Sequence, residues 1–382
     1  MAILIMVATA GFVVAIYAAG LDRQSVTGRD YIQYWAAERL LTERQNPYDP
    51  ALILREQRAA GMTDTAPKVT LSPPIAFFWM LPLGAVGAKT GLIGWLVLSM
   101  GALCLSIFLV WHELGRQTSG YHFIGLCFPP ALCCLMAGQL GIFFLLGMAS
   151  FLRLVRTRPW LAGAALFPCA LKPHLFLPLA VALALWSLRR KEPRVAGGFF
   201  LALAVSSGLT LWIDPRIWSE YRQILHAVPI MDVFLPTASV ALRFAIDRHA
   251  HWIEFVPEAA AGAWAVWYSW RERTRWDWAR QGMLLLMVSL AVAPYCWYSD
   301  QAVLLPAVLA GIYAAEKKPL SWVLLGAMMA GGMVGVIAAI NLPSPFYVWT
   351  APAWLGWYLY ATAGANRTGA AEAARGLERS YV

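Results

Sequence analysis

Five stretches of an otherwise apolar chain carry side chains that could do chemistry. Asp30 stands directly before "YIQYWAAERLLTE", which contains Tyr34, and Gln139 follows Gly138 between two apolar runs. Lys172 and His174 flank Pro173, Ser239 and Arg243 lie in "LPTASVALRFAIDR", and Asp300 lies in "PYCWYSDQ". A carboxylate such as Asp30 could serve as a general base. A lysine, or the planar fork of an arginine, could hold a phosphate, with His174 donating a hydrogen bond to the same anion.

Each residue also has a plainer reading. Asp30 could be the N-cap of the helix that follows, accepting backbone N–H groups. That helix, with Ile32, Trp35, Ala36, Leu40 and Leu41, reads as an amphipathic surface helix. "NPYDP" at 46–50 reads as the turn that ends it, with Asp49 structural. Lys172 could snorkel from the end of an apolar run, and His174 could simply sit at the interface. Arg243 could be a solvated loop charge, Asp300 a second helix cap, and Gln139 the partner of a neighbouring backbone group.

The elements that must position these residues are membrane helices. Of the 382 residues, 60% are hydrophobic and only 13% are charged. Apolar segments of spanning length recur along the chain, so the fold class expected is an all-α polytopic membrane protein. About 12 spans are expected, at 2–20, 90–111, 121–137, 139–154, 159–173, 174–188, 195–213, 251–270, 280–298, 300–315, 319–340 and 346–363. They form a single transmembrane domain over 1–363, followed by a mobile cytoplasmic tail at 364–382. The first 20 residues read as a retained span, being long for a signal peptide and lacking a basic start. The six cysteines fall in or beside apolar segments and read as buried hydrophobes, not disulfides or metal ligands.

Seventeen of the 30 lysines and arginines fall in the tail or in alternate loops, such as Arg189, Arg190, Lys191 and Arg194. That bias places the basic loops in the cytoplasm and explains the net charge of +9 without nucleic acid. The other connections then face outward, among them outer loop 1 at 21–89 and outer loop 2 at 214–250. The proline-interrupted stretch "LSPPIAFFWMLPLGAVG", 71–87, reads as a re-entrant or juxtamembrane helix within loop 1. On this topology Asp30, Gln139, Lys172, Ser239, Arg243 and Asp300 all fall at one surface.

"GRDYIQYWAAERLLTERQNPYDP", "LSPPIAFFWMLPLG", "GQLGIFFLLG", "ALKPHLFLPLAVALALWSLRRK" and "VAPYCWYSDQAVLLPAVLA" occur in the order seen in glycosyltransferase family 87. The chain resembles that family from about residue 25 to 310. The resemblance implies a GT-C fold and transfer of a hexose, with mannose the expected sugar, from a polyprenyl-phosphate sugar to a lipid or glycan acceptor. It implies a multi-pass protein of the bacterial inner membrane with its site facing outside. Asp30 resembles the family's loop aspartate, a base. Lys172 resembles the lysine of its "KP" motif, Gln139 its "GQ" glutamine, and Arg243 the arginine after the serine of outer loop 2. The chain departs from the family at Tyr298, Ser299 and Asp300, where a histidine is common. One base opposite one leaving phosphate would give inversion, with no metal or other cofactor required. The rival readings are a lipid-linked glycan transporter, which calls for mid-span charges, or an inactive assembly subunit.

Overall fold

A computed structural model describes residues 26–228, 232–338 and 342–363. Among these residues the chain is helical throughout and forms no strand. The expected first span and the expected tail lie outside the described residues.

Helix length decides what can cross a bilayer. Helices α1 (Tyr31–Thr42) and α2 (Pro50–Ala59) fold outer loop 1, and α3 (Ala88–Glu113) is the first long apolar helix among the described residues. Then come α4 (Pro129–Ala137), α5 (Gly141–Leu154), α6 (Pro159–Ala165), α7 (Leu177–Arg190) and α8 (Pro193–Ile213). Outer loop 2 holds α9 (Ile217–Ala227) and α10 (Ala238–Ile246). The bundle ends with α11 (Val256–Arg271), α12 (Met283–Ala291), α13 (Leu305–Ala314), α14 (Pro319–Ala338) and α15 (Thr350–Thr362). Among the described residues, only α3, α8 and α14 are long and apolar enough to cross a membrane unaided. Twelve uninterrupted spans are therefore not what the described helices form, although the shorter apolar helices suit a polytopic membrane protein.

The short helices matter more for function. At 14 residues each, α5 and α7 rise only about 21 Å, less than the ~30 Å of a hydrocarbon core. The chain breaks at 138–140, 171–176 and 292–298 instead of continuing. Such breaks survive among apolar helices only where protein or a cavity satisfies the freed backbone. Here they converge on one cavity. Both α5 and α7 carry arginines in the last turn, opposite the break at their start. The basic loops and the breaks therefore occupy opposite ends of these helices, as the charge alternation requires. Prolines start α2, α4, α6, α8 and α14, at a position where a missing N–H costs nothing.

Segment 71–87 holds one short helix, Pro74–Leu83, which starts at its prolines as expected. It folds as helical turns at Pro74–Ala76, Phe77–Met80 and Leu81–Leu83. Helix α8 holds it through Ser206 Oγ, which donates to the Ile75 carbonyl at 2.7 Å. Helix α1 differs from its reading as a surface helix, since nine of its 12 residues are buried. The 81–86 turn covers the face that would have met water. Trp35 Nε1 donates to the Val86 carbonyl at 2.9 Å and Arg39 to that of Gly84 at 3.2 Å. Inside, Tyr31 and Tyr34 pack on Trp95 of α3 at 6.3 and 6.0 Å between ring centroids. All six cysteines are free thiols.

Burying α1 also buries Glu38, whose two carboxylate oxygens have no hydrogen-bond partner. Burial holds this carboxyl well above the usual carboxylate range. It therefore stays protonated in the fold and its contribution to stability is lost as pH rises through that raised value. Glu38→Met, which fills the same space without an unpaired group, is expected to add about 1–3 kcal/mol. Thermal unfolding in detergent checks it: the midpoint should rise and its alkaline decline should flatten. A lower midpoint would mean that the acid has a partner role.

Candidate active site

The cavity encloses about 600 Å³ between outer loops 1 and 2 and the broken ends of the bundle. Asp30, Tyr34, Gln139, Lys172 and His174 all line it. Five of the eight sequence candidates therefore meet in one space, brought together from three separate stretches of chain.

Asp30 begins with its backbone. Lys68 Nζ donates to the Thr27 and Gly28 carbonyls, each at 3.0 Å, and Arg29 donates to the Met136 carbonyl. These contacts pin the turn that enters α1. The expected N-cap is absent: Asp30 is helical at φ −68° and ψ −20°, and its side chain accepts no capping bond. A cap residue needs an extended backbone to fold its carboxylate over the helix start, and this one lacks it. Asp49, which is extended, does cap α2 through the Ala51 and Leu52 N–H groups. The Asp30 carboxylate instead accepts a 2.7 Å hydrogen bond from Gln139 Nε2. The Gln139 Oε1 accepts one from Tyr34 Oη at 2.8 Å.

The "GQLG" motif makes that bond geometrically available. Gly138 ends α4 at φ +70°, a left-handed conformation suited to glycine, and a Cβ there would lie 2.6 Å from Tyr31 Cβ. Trp95 Nε1 fixes the same turn by donating to the Gly138 carbonyl at 3.0 Å. On the other side, a Cβ on Gly141 would lie 2.3 Å from the Ser299 carbonyl oxygen. The two glycines let one turn press on the Asp30 segment and on the Asp300 segment together.

Asp300 has a different environment. It is fully buried and does not line the cavity. Lys172 Nζ donates to both its oxygens, at 2.8 and 2.9 Å, and the Trp297 N–H donates to Oδ2 at 3.0 Å. It caps its own helical turn, Tyr298–Leu304, and serves as counterion to Lys172. The two carboxylates thus differ. Asp30 faces the cavity and accepts from a neutral amide, whereas Asp300 is enclosed and satisfied by a cation. His174 packs edge-on against Tyr295 at 5.2 Å, and its Nε2 has no partner.

Arg243 and Ser239 do not join the cavity lining. Arg243 is fully buried, not a solvated loop charge, and sits 3.1 Å from Glu254 while also contacting His251. Glu254 precedes Phe255, a wall residue. Ser239 Oγ donates to the Val292 carbonyl at 2.8 Å, two residues before Pro294, which also lines the cavity. Both side chains therefore tie α10 to walls of the site.

The sequence reading missed Tyr295, Trp297, Tyr221 and the strap 69–73, which complete the lining. Trp297 Nε1 donates to Tyr295 Oη at 2.8 Å, and Tyr295 lies 5.6 Å under Lys172. Their signal was the aromatic pair inside "PYCWYSDQ". The strap had none, because Gln57 of α2 holds it through the Lys68 backbone at 2.7 and 3.0 Å.

The cavity of this membrane-helical fold thus holds one open carboxylate, able to accept a proton, and one lysine. The family model of glycosyltransferase family 87 matches residues 71–312, and the chain belongs to that family. It is a glycosyltransferase by that membership. Gln139, Lys172, His174, Ser239, Arg243 and Asp300 fall within the match, whereas Asp30 and Tyr34 precede it. No curated protein and no solved structure matches the chain.

The contact at Gly141 is testable. Gly141→Ala must displace the Ser299 carbonyl and with it the Asp300 turn, an overpacking expected to cost about 1–3 kcal/mol. Gly94→Ala on α3 meets nothing within 4 Å and serves as the control. Thermal unfolding should show a lower midpoint for Gly141→Ala alone. Equal midpoints would contradict the close packing.

Proposed function

We propose that this protein transfers a hexose, with mannose the first candidate, from a polyprenyl-phosphate sugar to a lipid or glycan acceptor. The observation that carries the reading is the pairing of Asp30 and Lys172 on one cavity, the first held by Gln139 and the second by Asp300. The acceptor hydroxyl gives its proton to Asp30 as its oxygen bonds to the anomeric carbon. The bond from that carbon to the phosphate oxygen breaks, and its electron pair leaves with the lipid phosphate. Lys172 receives the growing negative charge there. A phosphate is already a good leaving group, so no general acid is needed. With the base opposite the leaving group, the anomeric carbon inverts.

His174, whose Nε2 is unpartnered, is a further contact for the phosphate or the sugar. Arg243 is a phosphate ligand in this scheme only if it leaves Glu254, so Lys172 is the first cation to meet the donor. A second space supports a lipid-borne substrate. An apolar groove of about 370 Å³ is lined by Phe78, Trp160, Leu161, Phe167, Leu201 and Val205, among others. Phe167 begins the turn Phe167–Leu171 that leads to Lys172. A lipid chain in the groove would bring its phosphate toward that lysine. The basic loops at the opposite end of the bundle support a site on the outer face of a bacterial inner membrane.

The test is an in vitro transfer assay with purified protein and a series of polyprenyl-phosphate sugars. Asp30→Asn should lower turnover by about 10²- to 10⁴-fold, and Lys172→Ala by about 10²- to 10³-fold. Full transfer by Asp30→Asn would remove the base assignment. Movement of labelled lipid across proteoliposomes without turnover of any donor would replace transfer with transport.

A further inference from the structure

The amide of Gln139 has no free end. Its Nε2 donates to Asp30 at 2.7 Å and its Oε1 accepts from Tyr34 at 2.8 Å. The side chain is buried to 8% exposure, and Trp95 holds the backbone of its turn. Both ends of the amide are thus already engaged by protein groups. We infer that Tyr34 and Gln139 form a positioning relay that sets the amide and, through it, the rotation of the Asp30 carboxylate. This rests on the reading of Asp30 as the base.

The relay works by exclusion. An amide can face a carboxylate with its NH₂ or, after a half-turn, with its oxygen. Two oxygens at that distance repel. The Asp30 carboxylate, an acceptor only, draws the NH₂ toward itself, and the Tyr34 hydroxyl on the other side donates to the amide oxygen and holds the amide in that plane. Tyr34 is itself fixed by burial and by its packing on Trp95. With Oδ2 occupied, Oδ1 is the oxygen available to take the acceptor proton. An uncapped aspartate free to turn about χ1 and χ2 would otherwise sample several directions, and a base misplaced by about 1 Å can lose on the order of 10²-fold in rate.

The relay makes predictions that space filling does not. Gln139→Met keeps the volume and removes both polar ends. It should lower kcat by about 10- to 100-fold with the KM for the polyprenyl-phosphate donor changed less than about threefold. Tyr34→Phe should act in the same direction and more weakly. The effects should not add, because both act through one group. Asp30→Asn with Gln139→Met should be no slower than Asp30→Asn alone, and Tyr34→Phe with Gln139→Met no slower than Gln139→Met alone. A normal kcat for Gln139→Met, or additive losses, would overturn the relay. If Gln139→Met does not fold, Tyr34→Phe alone carries the test, since an unchanged kcat there also overturns it. Failure of the base reading is separate: it shows as full activity of Asp30→Asn itself.

Discussion

Asp30 stands at the head of a buried helix, and the hydrogen bond that orients its carboxylate comes from a part of the chain remote in sequence. Its backbone is already helical, so the first N–H groups of α1 are beyond its reach. Gln139 supplies the bond across 109 residues of sequence. That single contact requires α1 to be held against the turn between α4 and α5. The requirement accounts for Gly138 in a left-handed conformation, for Trp95 on the carbonyl of that turn, and for the burial of α1 under the 81–86 segment. The same turn touches the Asp300 segment through Gly141. One loop thereby couples the open carboxylate to the enclosed ion pair.

The site depends on helices that stop early. A continuous apolar helix satisfies its own backbone and presents hydrocarbon; a helix of 14 residues leaves polar backbone below the apolar surface. Three such breaks gather Gln139, Lys172 and the 294–300 segment. Lys172 inside this region would be costly alone, and the buried carboxylate of Asp300 offsets that cost. A substrate phosphate arriving at Lys172 would share the lysine with Asp300. In the proposed reaction, the cation is thus kept charged and oriented before the donor arrives.

Much of this was legible in the residues. The class of fold followed from hydrophobic runs, the polarity of the helix ends from the arginines, and the convergence of Asp30, Gln139, Lys172 and His174 from topology with motif order. The errors have physical causes. Helix α1 shows polar residues at surface spacing, and nothing local reveals that the 81–86 turn covers them. Asp30 has a capping residue type, but capping depends on ψ, which residue type does not report. Arg243 looks solvated in a polar loop, and its partner Glu254 reads equally well as a helix-start charge. About 12 spans were expected from apolar length, whereas three of the described helices reach spanning length and the others are shorter.

The central claim is that the donor lies between Lys172 and Asp30. The most direct measurement is a structure of the Asp30→Asn protein with a polyprenyl-phosphate sugar bound. The account requires the phosphate within hydrogen-bond reach of Lys172 Nζ, and the anomeric carbon with its phosphate-bearing side turned away from residue 30. A phosphate held at Arg243 instead, or a sugar whose anomeric carbon is remote from residue 30, would contradict it.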